Sequence, residues 1–222
     1  MKKTVPLLLL AIVACMACVG TPKKKTQAAA LEQELVVGFY NVENLFDTRD
    51  DPGKDDAAFL PDGDYAWTPD KYAKKLANVA HVIASMAREN GRFHAVLGLA
   101  EVENAAVLKE LIAQEEIAGA GYRYIHYESP DDRGIDVALL YRPALVKILE
   151  SKPLKLDRRR TRSTLMVRAE IAGEPFAFYV AHLPSRQNDE NEALRRRGAE
   201  IIYEHAMGLQ KKHPGIKIVG RR

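Results

Sequence analysis

The amino-acid sequence predicts an α/β fold with two mixed β-sheets packed face to face and flanked by helices, a four-layer α/β/β/α sandwich. Three features lead there. Between residues 35 and 118, short apolar runs alternate with helical stripes. From 122 to 181 the pattern becomes five β-type runs in succession, and a long helical stretch with one more apolar run follows. Strands in succession framed by helices bury both their faces when sheet packs on sheet and helices cover the outside. A chain of 222 residues, 47% of them hydrophobic, is long enough to fill one such core.

Residues 1–20 are built differently. Lys2 and Lys3 precede an apolar run over 5–19, the charged start and short hydrophobic centre of a secretory signal peptide. The run is short for a membrane-spanning helix. Both cysteines, Cys15 and Cys18, lie in it, so residues 34–222 have neither disulfide nor thiol chemistry. Ile12-Val13-Ala14-Cys15 resembles a bacterial lipobox, which implies lipidation of Cys15 and an address at the bacterial cell envelope. Cys18, after Met16-Ala17, is a second candidate, and ordinary cleavage near Ala28-Ala29-Ala30 is the alternative. Residues 21–33, rich in lysine, alanine and glutamine, form a tether, and 34–222 form the folded domain.

Within the domain, 35–40 (LVVGFY) is an apolar strand that stops at Asn41-Val42-Glu43-Asn44. Residues 49–64, rich in aspartate, glycine and proline, predict an exposed loop. Its aspartates lack the spacing of an EF-hand. Thr68-Pro69 opens a helix, with threonine placed to cap and proline suited to the first turn. Tyr72, Leu76, Val79, Ala80, Ile83, Met86 and Ala87 form its buried stripe, Asn90-Gly91 ends it, and His81 lies off the stripe. Residues 94–100 (HAVLGLA) form a buried strand that runs into Glu101 and Glu103. A second helix is expected over 104–118, with Leu108, Leu111 and Ile112 inward and Gly119 ending it. Runs 122–127, 135–141, 146–149, 165–171 and 175–181 favour β structure, with a hairpin turn at Gly173-Glu174. Residues 189–211 form a long helix carrying Leu194, Ile201, Ile202 and Leu209; His213-Pro214-Gly215 ends it, and 216–219 starts a strand.

The net charge is only +3, from 33 basic and 30 acidic residues, which excludes polyanion binding by overall charge. Local basic runs at 158–162 and 195–197 could still face phosphate. Three strand ends carry polar clusters: Asn41 with Glu43, Glu101 with Glu103, and His182 with Ser185 and Arg186. Two readings of Glu101 stand open. It is an acid drawn to the N-terminus of the next helix, or a functional carboxylate at the end of a buried strand. If the clusters converge, amide, carboxylate and histidine suit phosphate-ester hydrolysis. The carboxylate holds a hard divalent ion such as magnesium, which keeps waters for substrate. The histidine and the amide donate to phosphoryl oxygens where charge builds up. No cysteine–histidine set at zinc spacing, no phosphate-cradling glycine loop and no Gly-x-Ser-x-Gly elbow competes.

Five motifs in order resemble the endonuclease/exonuclease/phosphatase superfamily, which includes pancreatic deoxyribonuclease, exonuclease III and bacterial sphingomyelinases. They are FYNVENLFD at 39–47, LGLAEVEN at 97–104, DRGIDVALLY at 132–141, TRSTL at 161–165 and AHLPSRQNDENEALRRRGAEII at 181–202. Exported bacterial members are the most similar. The resemblance implies Glu101 as the ligand of Mg2+ (or Mn2+), His182 and Asn41 as catalytic, and Asn41, Arg162 and Arg186 as phosphate-binding. Asp131, Asp132 and Arg133 shape a loop. It implies hydrolysis of phosphodiesters, nucleic acid among them; the lipobox implies that the membrane is met through a lipid anchor, and no protein partner is predicted. In the family the strand begun here as IKIVG continues into Gly-Asp-x-Asn, and a Ser-Asp-His segment comes later. Here Gly220 is followed by Arg221-Arg222. The expectation is a domain missing its C-terminal strands, and losing the water-positioning aspartate alone costs about 10²- to 10⁴-fold. The alternative is an inactive remnant that at most binds phosphorylated ligands.

Overall fold

The computed structural model describes residues 34–156, 161–185 and 189–221. One sheet holds β1 (Val37–Leu45), β2 (Val96–Val102), β3 (Arg123–His126) and β4 (Asp136–Tyr141) in the order β1-β2-β4-β3. The other holds β5 (Val146–Leu154), β6 (Thr164–Ile171), β7 (Glu174–Val180) and β8 (Lys217–Arg221) in sequence order. The helices are α1 (Pro69–Glu89), α2 (Ala105–Ile112), α3 (Glu115–Ala118) and α4 (Asp189–Lys212). Both sheets are mixed. The parallel pairs are β1–β2 and β7–β8. These pairs are the ones joined through a long helix, because a parallel neighbour needs a crossover while an antiparallel one needs only a turn. The α/β/β/α sandwich read from the pattern is the architecture found.

Strand β2 reads as an unbroken apolar run because both its faces are covered. Leu97 and Leu99 share a core with Leu76, Val79 and Ile83 of α1 and with Leu108 and Leu111 of α2. Val96 and Ala100 point the other way, into a core shared with Leu165, Val167, Phe178 and Val180 of the second sheet. Between them sits Gly98, where a β-carbon would stand 3.0 Å from Val180 Cγ2. The third core lies under α4, whose Ala206 and Leu209 pack on Met166, Ala177 and Tyr179. Each fully buried leucine contributes about 1.5–3 kcal/mol, so the sheets form a stiff base for the loops at their ends.

Helix α1 begins as the sequence predicts, with Thr68 Oγ1 accepting from Lys71 N at 3.4 Å. His81 is exposed and pairs with Glu116 at 3.1 Å. Several details differ, among them β5, which runs to Leu154 rather than stopping at 149. The helix expected over 104–118 is two helices, because Gln114 turns to an extended conformation and caps α3. Gly119 follows α3 in a right-handed conformation; the left-handed residue is Gly121, at φ 66°. The β6–β7 turn is Ala172-Gly173, one residue earlier than predicted, with φ of 52° and 82°, as a two-residue turn matching strand twist requires. The 49–64 loop is not simply exposed. Its Asp56 is buried and its Phe59 ring stacks on Phe46 with centroids 4.0 Å apart, since aromatic area is better covered than wetted. Among the described residues no helix is long and apolar enough to cross a membrane. Cys15, Cys18, Arg158 to Arg160 and Arg186 lie outside the described residues.

Candidate active site

Strand β1 does not stop at Tyr40. It continues through Asn41 to Leu45, and its register with β2 shifts between Asn41 and Leu45. The β2–β4 pairing shifts too, between Ala100 and Val102. These irregularities carry left-handed backbone at Glu43 (φ 58°), Asn44 (φ 59°) and Glu101 (φ 65°). For a glutamate such a conformation costs on the order of 1–3 kcal/mol, and it persists only where surrounding structure enforces it. The bulges turn Glu101 out of the alternation of a regular strand.

Four contacts meet at the Glu101 carboxylate and Asn41. Glu101 Oε1 accepts from Asn41 Nδ2 at 3.0 Å and lies 3.3 Å from His182 Nε2. Glu101 Oε2 accepts from Asn44 N at 2.9 Å. Asn41 Oδ1 accepts from Glu43 N at 3.0 Å, which fixes the amide. The helix-start reading of Glu101 does not describe this geometry. The next helix is capped instead by Asn104, whose Oδ1 accepts from Ala106 N and Val107 N at 2.8 and 3.1 Å.

His182 follows β7 by two residues and is held from behind. Arg162 Nε donates to the His182 carbonyl at 3.1 Å, and Arg162 Nη1 stands 3.5 Å from Asp131 Oδ2. Arg162 and Asp131 are both close to fully buried. Burial, and next the Arg162 charge, hold the His182 imidazole below its ordinary range, while Glu101 pulls the other way. Burial also lowers the Arg162 guanidinium, opposed by Asp131. Histidine Nδ1 of His182 is buried without a hydrogen-bond partner among the described residues.

The chain's pattern matches that of the Endonuclease/Exonuclease/phosphatase family over residues 36–220. The chain belongs to this family. Members of the endonuclease/exonuclease/phosphatase family are phosphodiesterases and phosphatases, generally dependent on a divalent metal. No curated protein sequence matches the chain. Among solved structures it is similar to a mannosyl-6-phosphatase from Bacteroides thetaiotaomicron, at 18% identity and a TM-score of 0.56, over 84% of this chain and 64% of that one. A second endonuclease/exonuclease/phosphatase family protein from the same organism gives 18% and 0.56 over 84% and 61%. TDP2 from Caenorhabditis elegans gives 14% and 0.51 over 68% and 42%. The chain thus spans less than two thirds of each of these structures, and at such identities the likeness establishes the fold.

Of the residues singled out from the sequence, Asn41, Glu101 and His182 come together. Arg162 lies behind His182, and Arg186 lies outside the described residues. Glu103 points elsewhere. It is buried, accepts from Asp47 N at 2.6 Å, and burial pushes its carboxyl up to about 8, with Asp47, Asp51 and Asp56 adding to the rise. Glu43 is exposed. Asp131 and Lys54 were not singled out as site residues. Lys54 Nζ ties the loop before β4 by donating to Ser129 O at 3.1 Å and Asp131 O at 3.0 Å. Asp131, the acid just before DRGID, was visible, but a loop aspartate carries no sign that it will meet an arginine thirty-one residues on. The Glu101 carboxylate at the centre fits a hard cation, and no thiolate stands beside it.

Proposed function

We propose that this site binds a phosphate ester together with a divalent cation, for metal-dependent hydrolysis of phosphodiester bonds. The observation that carries the reading is the meeting of Asn41 on β1, Glu101 on β2 and His182 just after β7, around one carboxylate whose residue is held in left-handed backbone. Glu101 would be the protein ligand of a magnesium or manganese ion, which typically takes one or two carboxylates and keeps several waters. When bound, the ion supplies charge neutralisation and polarisation of a phosphoryl oxygen. Asn41 aims the Glu101 carboxylate through its Nδ2, and its own oxygen is committed to Glu43 N, so it acts first by orienting the ligand. His182, kept neutral by burial and by Arg162, offers a ring N–H for the oxygen on which charge grows. Arg162 sets the position of His182 through the backbone carbonyl and adds positive charge to the phosphate side. Nucleic acid is one substrate class of this chemistry, and the basic run at 158–162 favours a polyanion. A lipid anchor at Cys15 would place the domain at the cell envelope.

The test is turnover of a chromogenic phosphodiester with magnesium. Turnover that disappears in Glu101→Gln, with circular dichroism unchanged, supports the reading. A folded protein without turnover leaves the alternative of a phosphate-binding remnant.

A further inference from the structure

At the same end of the first sheet, one strand beyond Glu101, a second set of ligands converges. His126 is the last residue of β3 and Asp136 the first of β4; Asp136 is the register partner of Val102, the residue after Glu101. Glu128 follows β3 by two residues. One ligand atom from each of His126, Glu128 and Asp136 lies within 4.8 Å of the other two. The His126 and Asp136 side chains are 4% and 2% exposed, whereas that of Glu128 is 58% exposed.

The decisive observation is the imidazole. His126 Nε2 is buried with no hydrogen-bond partner among the described residues. It faces Asp136 Oδ2 at 3.7 Å, and Nδ1 faces Glu128 Oε1 at 3.8 Å. Both separations exceed a hydrogen bond. A buried ring nitrogen without a partner is costly, and a gap of this width between imidazole and carboxylate is what an ion bridging them needs. The neighbouring cation does not fill it, since Lys54 Nζ is spent on the Ser129 and Asp131 carbonyls. Asp136 is oriented from behind, its Oδ2 accepting from Ser129 N at 3.2 Å.

We propose that His126, Glu128 and Asp136 form a second divalent-cation site that shares no ligand with Glu101. One imidazole and two carboxylates fit zinc or another late first-row ion better than calcium or magnesium, and manganese, which takes carboxylate oxygens, can also occupy such a set. His126 and Asp136 are the fixed ligands, and Glu128, at the surface, closes onto the ion by a change of rotamer. The ion clamps the loop between β3 and β4. That loop carries Asp131, which faces Arg162, which in turn holds the His182 carbonyl. The site is therefore structural, and it positions the phosphate-binding side of the centre from outside it.

Manganese is the probe of choice, because Cys15 and Cys18 are thiol competitors for zinc. The full chain, stripped with chelator, is titrated with Mn2+ and the free ion read by electron paramagnetic resonance, in the Glu101→Gln background to remove the first site. The expected result is one bound ion whose echo modulation reports a coordinated imidazole nitrogen. That signal is lost in His126→Gln. In Glu128→Gln, a surface change that leaves the fold intact, affinity falls by at least the tenfold that even outer-shell partners cost when removed. If His126→Gln fails to fold, Glu128→Gln decides. The proposal is overturned if folded Glu101→Gln takes up no manganese, or if its uptake is the same with and without the Glu128→Gln change.

Discussion

The contact between Arg162 and Asp131 gives the account its sharpest stability prediction. Arg162→Met keeps much of the aliphatic stem and removes the charge. It leaves the Asp131 carboxylate buried and uncompensated, and it frees the His182 carbonyl that Arg162 Nε holds at 3.1 Å. Removing one partner of a buried ion pair costs about 3–5 kcal/mol, where an exposed pair would lose about 1 kcal/mol or less. Near-complete burial of both side chains puts this pair in the first class, although its separation of 3.5 Å argues for the lower end. Adding Asp131→Asn removes the orphaned charge while keeping an oxygen for Arg133 N, which Asp131 Oδ1 now accepts at 3.1 Å. The double variant should therefore recover about 1–3 kcal/mol relative to additivity. Urea unfolding followed by circular dichroism, run on wild type, both single variants and the double, measures the cycle. A loss below about 1 kcal/mol for Arg162→Met, or strict additivity, refutes the claim that this pair braces His182.

Three further outcomes are expected. Burial lowers the His94 pKa, so below the ordinary histidine value of about 6.5 the unfolded chain binds more protons than the folded one; stability is full above that pH and is lost as pH falls, and His94→Gln flattens the decline in urea midpoint between pH 7 and 5. Gly98→Ala places a methyl 3.0 Å from Val180 Cγ2 and 3.3 Å from Phe39 Cδ2 between the sheets, and should lower stability by about 1–3 kcal/mol by the same unfolding assay. Cys15→Ser should move the expressed protein from the membrane fraction to the soluble fraction, and Cys18→Ser should not; fractionation and immunoblotting read the difference.

Much of the fold was legible because burial on two faces writes itself as period and run length. The stripe of α1 and the apolar run of β2 needed no further information. The hairpin was displaced by one residue because Ala172, which gives no turn signal, is the residue forced to positive φ beside Gly173. Asn41, Glu101 and His182 could be found because each is a polar residue where an apolar run of the sequence ends. What could not be read was how they are held. Left-handed backbone at Glu101 follows from register shifts between strands distant in sequence, and nothing in AEVEN announces it. The same limit hid His126 and Asp136. They are ten residues apart with no ligand spacing, and only the β3–β4 pairing brings them together.

In the proposed function, Asn41, Glu101 and His182 act as one metal-and-phosphate site. Calorimetric titration of the folded chain with inorganic phosphate, with magnesium present and after its removal by chelator, tests it most directly. Phosphate binding should require magnesium and disappear in both Glu101→Gln and His182→Ala. Binding that persists without the metal, or survives in either variant, contradicts it.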